Sequence, residues 1–216
     1  MPGDLQRLAE AKFYVVLDRD VLNDEDLFDV MKKTVRAGAD VVQLRHKNGS
    51  AREIFGFCQK ALRLTRGKIP FIVNDRLDIA LACGADGVHL GQDDLPMVEA
   101  RRIAGRRLMI GASCQTRAQA RTAARDGADY IGFGSVFKTP TKPQRSDMDL
   151  ALLKTVLSEA TIPVFPIGGI GLENIRRVLK QGADRVAVTR SVCLADDVVS
   201  VTKEFSRLLK ARPAVV

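Results

Sequence analysis

The stretch Gln43-Leu44-Arg45-His46-Lys47 sets an amide and two cations at alternate positions, so that Gln43, Arg45 and Lys47 share one face where a strand runs out. Two cations beside an amide make a site for a polyanion. Asn74-Asp75-Arg76 and Gly91-Gln92-Asp93-Asp94 each follow an apolar run and add carboxylates. Carboxylates from neighbouring loops facing cations are what a Mg2+ bridging phosphate oxygens requires. One of Asp93 and Asp94 is expected to serve such a metal, and the other to cap a helix beginning near Pro96. Gly111-Ala112-Ser113 offers a hydroxyl after a fifth apolar run. The segment from Gly134 to Pro143 is too long for a tight connection, and its Thr139, Thr141 and Lys142 read as a flap closing over phosphate. Gly168-Gly169-Ile170-Gly171 and Thr189-Arg190-Ser191 place glycine-rich or polar backbone where helices begin, a recurrent phosphate-binding arrangement. Only His46 and His89 are present, and Cys58, Cys83, Cys114 and Cys193 lack metal-ligand spacing. Neither a zinc site nor a Ser-His-Asp triad is expected.

The elements that must position these residues are announced by a repeat. Gly-Ala-Asp occurs at Gly38, Gly84, Gly127 and Gly182, each time after a helix-like segment and before an apolar run. Four alternating runs lie between them, at Phe13 to Leu17, Pro70 to Val73, Arg107 to Ile110 and Pro163 to Ile167. Short apolar runs rich in β-branched residues fit parallel strands buried on both faces. Helices are expected over Asp24 to Arg36 and Leu172 to Gln181. Eight strands alternating with helices in 216 residues predict a single α/β domain, residues 1–216 with a core of about 13–209, folded as a (β/α)8 TIM barrel. An open doubly wound sheet is the alternative that the fourfold regularity disfavours. In such a barrel the residues named above all fall at the ends of strands, where function collects.

Composition narrows the partners. A net charge of +8, from 34 Lys and Arg against 26 Asp and Glu, suits anionic ligands, although Arg101-Arg102, Arg106-Arg107 and Arg176-Arg177 read as solvated helix faces. With no Trp and two Tyr, nucleic acid is not an expected partner. No stretch approaches the roughly 20 apolar residues of a membrane span. Met1-Pro2-Gly3-Asp4 lacks a basic then apolar signal region, so a cytoplasmic location with reduced, packing cysteines is expected. The oligomeric state is left open, a homo-oligomer included.

From Phe13 to about Leu209 the chain resembles the thiamine-phosphate synthase family. The resemblance rests on Gln43-x-Arg45-x-Lys47, Asn74-Asp75-Arg76, Ala85-Asp86-Gly87-Val88-His89-Leu90-Gly91-Gln92-x-Asp94, Gly111-x-Ser113, Gly127-Ala128-Asp129-Tyr130-Ile131-Gly132-x-Gly134, Thr139-x-Thr141-Lys142 and Ile167-Gly168-Gly169-Ile170. It implies a barrel enzyme, a transferase, that joins hydroxymethylpyrimidine pyrophosphate to thiazole phosphate with Mg2+ and releases pyrophosphate. The resemblance gives Gln43 to the pyrimidine, and Arg45, Lys47, Asn74, Ser113 and Lys142 to the pyrophosphate. It makes Asp75 and Asp94 the Mg2+ ligands, and gives the thiazole phosphate to Thr139, Thr141, Gly169 and the backbone around Thr189 and Arg190. The implied chemistry is dissociative: pyrophosphate leaves, the electron-rich aminopyrimidine supports the cation, and the thiazole nitrogen attacks. No side-chain nucleophile is needed for that, in keeping with a mouth of cations and carboxylates. Gln115 stands where the family commonly has His, which counts against the related thiazole tautomerases. A non-catalytic phosphate-ligand sensor is the third reading. Ser135 replaces a frequent proline, and Arg185 and Arg190 replace small residues. Arg190 is expected to contact the thiazole phosphate.

Overall fold

The computed structural model describes residues 2–138 and 147–211. Eight strands run β1 Phe13–Asp18, β2 Val41–Arg45, β3 Phe71–Asn74, β4 Gly87–Leu90, β5 Met109–Cys114, β6 Tyr130–Phe133, β7 Val164–Pro166 and β8 Val186–Val188. They pair in parallel in the order β7-β6-β5-β4-β3-β2-β1-β8, and a bridge from Ile167 to Ala187 brings the two edges together. Around this barrel lie α1 Pro2–Glu10, α2 Asp24–Ala37, α3 Ala51–Thr65, α4 Leu77–Cys83, α5 Met97–Ala104, α6 Arg117–Arg125, α7 Leu150–Glu159, α8 Ile175–Leu179, α9 Arg190–Cys193 and α10 Val198–Lys210. The expected closed (β/α)8 order is present.

The Gly-Ala-Asp repeat acquires a physical meaning. Gly38, Gly84, Gly127 and Gly182 all have positive φ, which lets the chain leave a helix and turn into the next strand. The alanines that follow are buried in the layer between strands and helices. Three of the aspartates then reach to the neighbouring strand. Asp40 Oδ2 accepts from the amides of Lys12 and Phe13, each at 3.0 Å, Asp86 Oδ2 accepts from Phe71 N at 2.7 Å, and Asp129 Oδ2 accepts from Ile110 N at 2.7 Å. Each carboxylate satisfies strand-start amides that would otherwise lack partners at the barrel base. Asp184 instead pairs with Arg185, whose NH1 also donates to Ala9 O at the same end, far along the strand from the mouth.

Two apolar layers result. One fills the space between strands and helices, with Phe13 stacked on Phe205 at 5.0 Å. The other fills the barrel itself, where Leu8 of α1 and Ala11 pack below Tyr14, Tyr130 and Phe165.

Several sequence-based boundaries move. The fifth strand was expected to end at Ile110, but β5 continues to Cys114, because Gly111 through Cys114 register with Tyr130 through Phe133. Ser113 therefore belongs to a strand rather than a loop. The helix expected over Leu172 to Gln181 shrinks to Ile175–Leu179. Asn174 prevents an earlier start: its side chain accepts from Gly171 N and donates to Gly169 O, holding a turn there. Neither Asp93 nor Asp94 caps α5. Its N-cap is Pro96 without a side-chain bond, and Asp94 Oδ2 instead accepts from Gly91 N at 2.6 Å to close its own loop.

Gly111 lies between His89 and Tyr130 in register. A Cβ there would sit 2.1 Å from Tyr130 Cζ and 2.5 Å from His89 Nδ1. Gly111→Ala is expected to cost about 1–3 kcal/mol of stability through overpacking. Urea denaturation checks this, and an unchanged midpoint would show that the two rings have room to yield.

Candidate active site

The ends of the eight strands surround a cavity of about 470 Å³, a usual size for a small-molecule site. Gln43, Arg45, Asn74, Ser113, Gly169, Thr189 and Arg190 all line it. The residues gathered from five different strand ends thus converge. Lys47, Asp75 and Asp94 form a neighbouring group beside β3 and β4. Thr139, Thr141 and Lys142 lie outside the described residues. Lys138, which precedes them, lines the cavity, and its amide donates to Asp147 Oδ1 at 2.7 Å.

Arg45 is held rather than free. Its NH1 donates to Asp18 Oδ1 at 2.7 Å, to Asp18 Oδ2 at 2.9 Å and to Asp20 Oδ2 at 2.7 Å. Asp18 is buried at the end of β1, so this pairing fixes the guanidinium in place. Gln43, at 4% exposure, lies inside the barrel and donates from Nε2 to Asn74 Oδ1 at 2.7 Å. Arg45 and Lys47 do not continue one strand face: β2 ends at Arg45, and Lys47 Nζ turns to Asp75 Oδ2 at 3.1 Å.

Asp75 stands at φ 61, a conformation that a non-glycine residue seldom adopts. Its amide is tied to His89 O at 2.8 Å, and its carboxyl meets that of Asp94. Burial first, and then the Asp94 contact, push the Asp75 carboxyl above the ordinary carboxylate range, with Lys47 opposing them. Two carboxyl groups so placed are suited to share a divalent cation.

Across the mouth, Gly168 and Gly169 have positive φ of 100° and 64°. Side chains there would collide with the loop that follows β6: a Cβ on Gly169 would lie 2.7 Å from Lys138 O. That loop is fastened by Val136 N to Ile167 O and Phe137 N to Gly168 O, each at 2.9 Å. Ser191 Oγ donates to Ile170 O at 2.9 Å, joining the β7 and β8 ends under Arg190.

A family model described as thiamine monophosphate synthase matches residues 13–192. The chain belongs to the thiamine monophosphate synthase family. It is 42% identical over 205 residues to a thiamine-phosphate synthase of Gloeobacter violaceus, covering 94% of this chain and 59% of that longer relative. The corresponding protein of Clostridium acetobutylicum is 39% identical, over 94% of this chain and 96% of its own. Among solved structures, thiamine phosphate pyrophosphorylase from Pyrococcus furiosus superposes with a TM-score of 0.85 at 38% identity, over 95% of this chain and 98% of that one.

This family member carries site residues that pattern reading did not assign. Tyr14, Asp18, His89, Tyr130 and Glu173 line the cavity, yet all but Glu173 sit in strands that read as apolar or as strand ends. The signal available for His89 was a polar residue inside the run Gly87 to Leu90.

The raised Asp75 carboxyl links stability to pH. A carboxyl raised above its unfolded value of 3.8 favours folding only while protonated, and that contribution is lost as pH rises through its folded value. Asp75→Asn, which tolerates positive φ, is expected to have a higher Tm than wild type without metal near about pH 7, with the gap closing near about pH 3. Scanning calorimetry at the two pH values measures this. A lower Tm at neutral pH would mean that the Lys47 pairing outweighs the burial and the Asp94 contact.

Proposed function

We propose that this protein condenses 4-amino-5-hydroxymethyl-2-methylpyrimidine pyrophosphate with 4-methyl-5-(2-phosphoethyl)thiazole, giving thiamine phosphate and pyrophosphate. Family membership makes it a thiamine-phosphate synthase and a transferase. The observation that carries the residue assignment is the convergence, at one barrel mouth, of Gln43, Arg45, Asn74 and Ser113 beside the Asp75–Asp94 pair.

Arg45, held from behind by Asp18 and Asp20, binds pyrophosphate oxygens together with Lys47, Asn74 and Lys142, with Ser113 at the same edge. Gln43 recognises the pyrimidine from the barrel interior. Gly169, Thr189 and Arg190, with Thr139 and Thr141, receive the thiazole phosphate at the ends of β7 and β8. The facing carboxyls of Asp75 and Asp94 fit Mg2+, and bound there it would supply positive charge to the pyrophosphate. The cations stabilise the leaving group as its bond to the pyrimidine carbon breaks, which is where negative charge develops. The thiazole nitrogen then attacks that carbon. The loop pinned to Ile167 and Gly168 shields the cation from water during that interval. The substrates are small phosphorylated molecules, and a cytoplasmic setting is part of the proposal.

Incubating the purified protein with both substrates and Mg2+, followed by oxidation to the fluorescent thiochrome, is expected to give a metal-dependent signal. No signal from folded protein would remove the synthase assignment. Asp75→Asn is expected to abolish metal-dependent turnover, and full activity would take Asp75 out of the metal site. Arg190→Ala is expected to raise KM for the thiazole phosphate by about 10-fold or more, the scale of a lost charge-assisted hydrogen bond. An unchanged KM would place the thiazole phosphate elsewhere.

A further inference from the structure

Two of the four free thiols lie side by side. Cys58 stands on the inward face of α3 with Ile54, Phe57, Ala61 and Leu62 and is fully buried. Cys83 is the last residue of α4, half-buried where α4 packs against α3. The two side chains are hydrogen-bonded to one another. In its thiol form Cys83 directs its hydrogen to Ala80 O, 3.6 Å from Sγ, so within the pair Cys58 donates and the Cys83 sulfur accepts.

A sulfur that accepts a hydrogen bond is one whose anion is stabilised. The Cys58 bond first, with help from the backbone amide of Ala85, holds the Cys83 thiol below the ordinary thiol range, while burial and the Asp86 carboxylate oppose it. The same bond first, and then burial, push Cys58 well above that range. Cys114 and Cys193 differ, since burial pushes them up to about 12 and about 11. Attack on a disulfide needs a thiolate with an open side, whereas the thiol that resolves the mixed disulfide needs only to lie beside it. Cys83 meets the first requirement and Cys58 the second.

We propose that Cys58 and Cys83 are a redox-active dithiol, which a low-molecular-weight disulfide of the glutathione class converts to a covalent bond stapling α3 to α4. The Cys83 thiolate attacks one sulfur of the small disulfide, whose S–S bond breaks and whose other half leaves as a thiolate. Cys58 then gives its proton to that thiolate and attacks Cys83 Sγ, displacing the second half, which takes up the proton that Cys83 had released. Two electrons pass to the small disulfide, and the products are one protein disulfide and two small thiols.

The pair stands apart from the cavity, which neither thiol lines. From the mouth end of β3, α4 runs down to the base, where Gly84 and Ala85 lead to Asp86 and its bond to Phe71 N. Closing the staple therefore leaves the mouth open and acts on stability. Tying a loop of about 25 residues favours the fold by more than the lost thiol hydrogen bond costs, so Tm is expected to rise by about 4–8 °C.

The test incubates the reduced protein with oxidised glutathione, blocks the remaining thiols and maps the cysteines by mass spectrometry without reduction. A Cys58–Cys83 disulfide is expected, reversed by dithiothreitol, with Cys114 and Cys193 still free thiols once the chain is unfolded. Cys58→Ser, or Cys58→Ala should the first not fold, is expected to stop at the glutathione adduct on Cys83, and Cys83→Ser to leave Cys58 unmodified. Calorimetry of the oxidised and reduced protein reads the Tm shift. A lasting adduct on Cys83 in the wild type, no reaction at Cys83, or equal reaction at all four cysteines would overturn the proposal, and a Tm unchanged or lowered by the disulfide would overturn its stabilising role. Neither readout depends on the reaction at the mouth.

Discussion

A strand that starts at the base of a closed barrel leaves partly buried backbone amides there, at a cost of about 1–3 kcal/mol each for any that is fully desolvated and unpaired. Asp40, Asp86 and Asp129 meet that demand for β1, β3 and β5. Each comes from the turn before the adjacent strand, so the bond sets the stagger of one strand against the next. Stagger decides which residues reach the opposite end. The mouth of the barrel, where Arg45, Asn74 and Ser113 stand together, is thus fixed from its base.

Above that base the interior must be filled without closing the site. Tyr14, Tyr130 and Phe165 occupy the middle of the barrel in edge-to-face and tilted contacts. Gly111 and Gly132 supply the missing side-chain volume beside His89 and Tyr130. The phenol oxygens then turn an apolar plug into a polar floor, since a buried hydroxyl needs a partner and finds one in Gln43 and His89.

The charged rim works against stability in places. Asp75 is held at positive φ with its carboxyl against Asp94, a placement whose cost the Lys47 ion pair offsets only in part. Arg45 sits between the opposite pair of carboxylates from β1 and its following turn, which offsets the desolvation of its guanidinium. Cations anchored from behind and carboxyls left facing one another give a site prepared for an anionic ligand with a metal.

The amino-acid sequence by itself determined the number and order of the strands, because each Gly-Ala-Asp copy marks a helix end and a strand start through local backbone chemistry. It also determined which charged residues would stand at strand ends, since those positions lie within a few residues of an apolar run. Thr139, Thr141 and Lys142 read from the sequence as a flap over phosphate and lie outside the described part of the chain. Tertiary structure alone decided that Ser113 belongs to β5, that Asp94 closes its own loop instead of capping α5, and that Asp18 and Asp20 hold Arg45. It alone joined Tyr14 to Tyr130, which are 116 residues apart, and both to His89. The reason is one of range: turn and strand signals act between neighbours along the chain, whereas a buried hydroxyl takes whichever partner the closed barrel brings within about 3 Å.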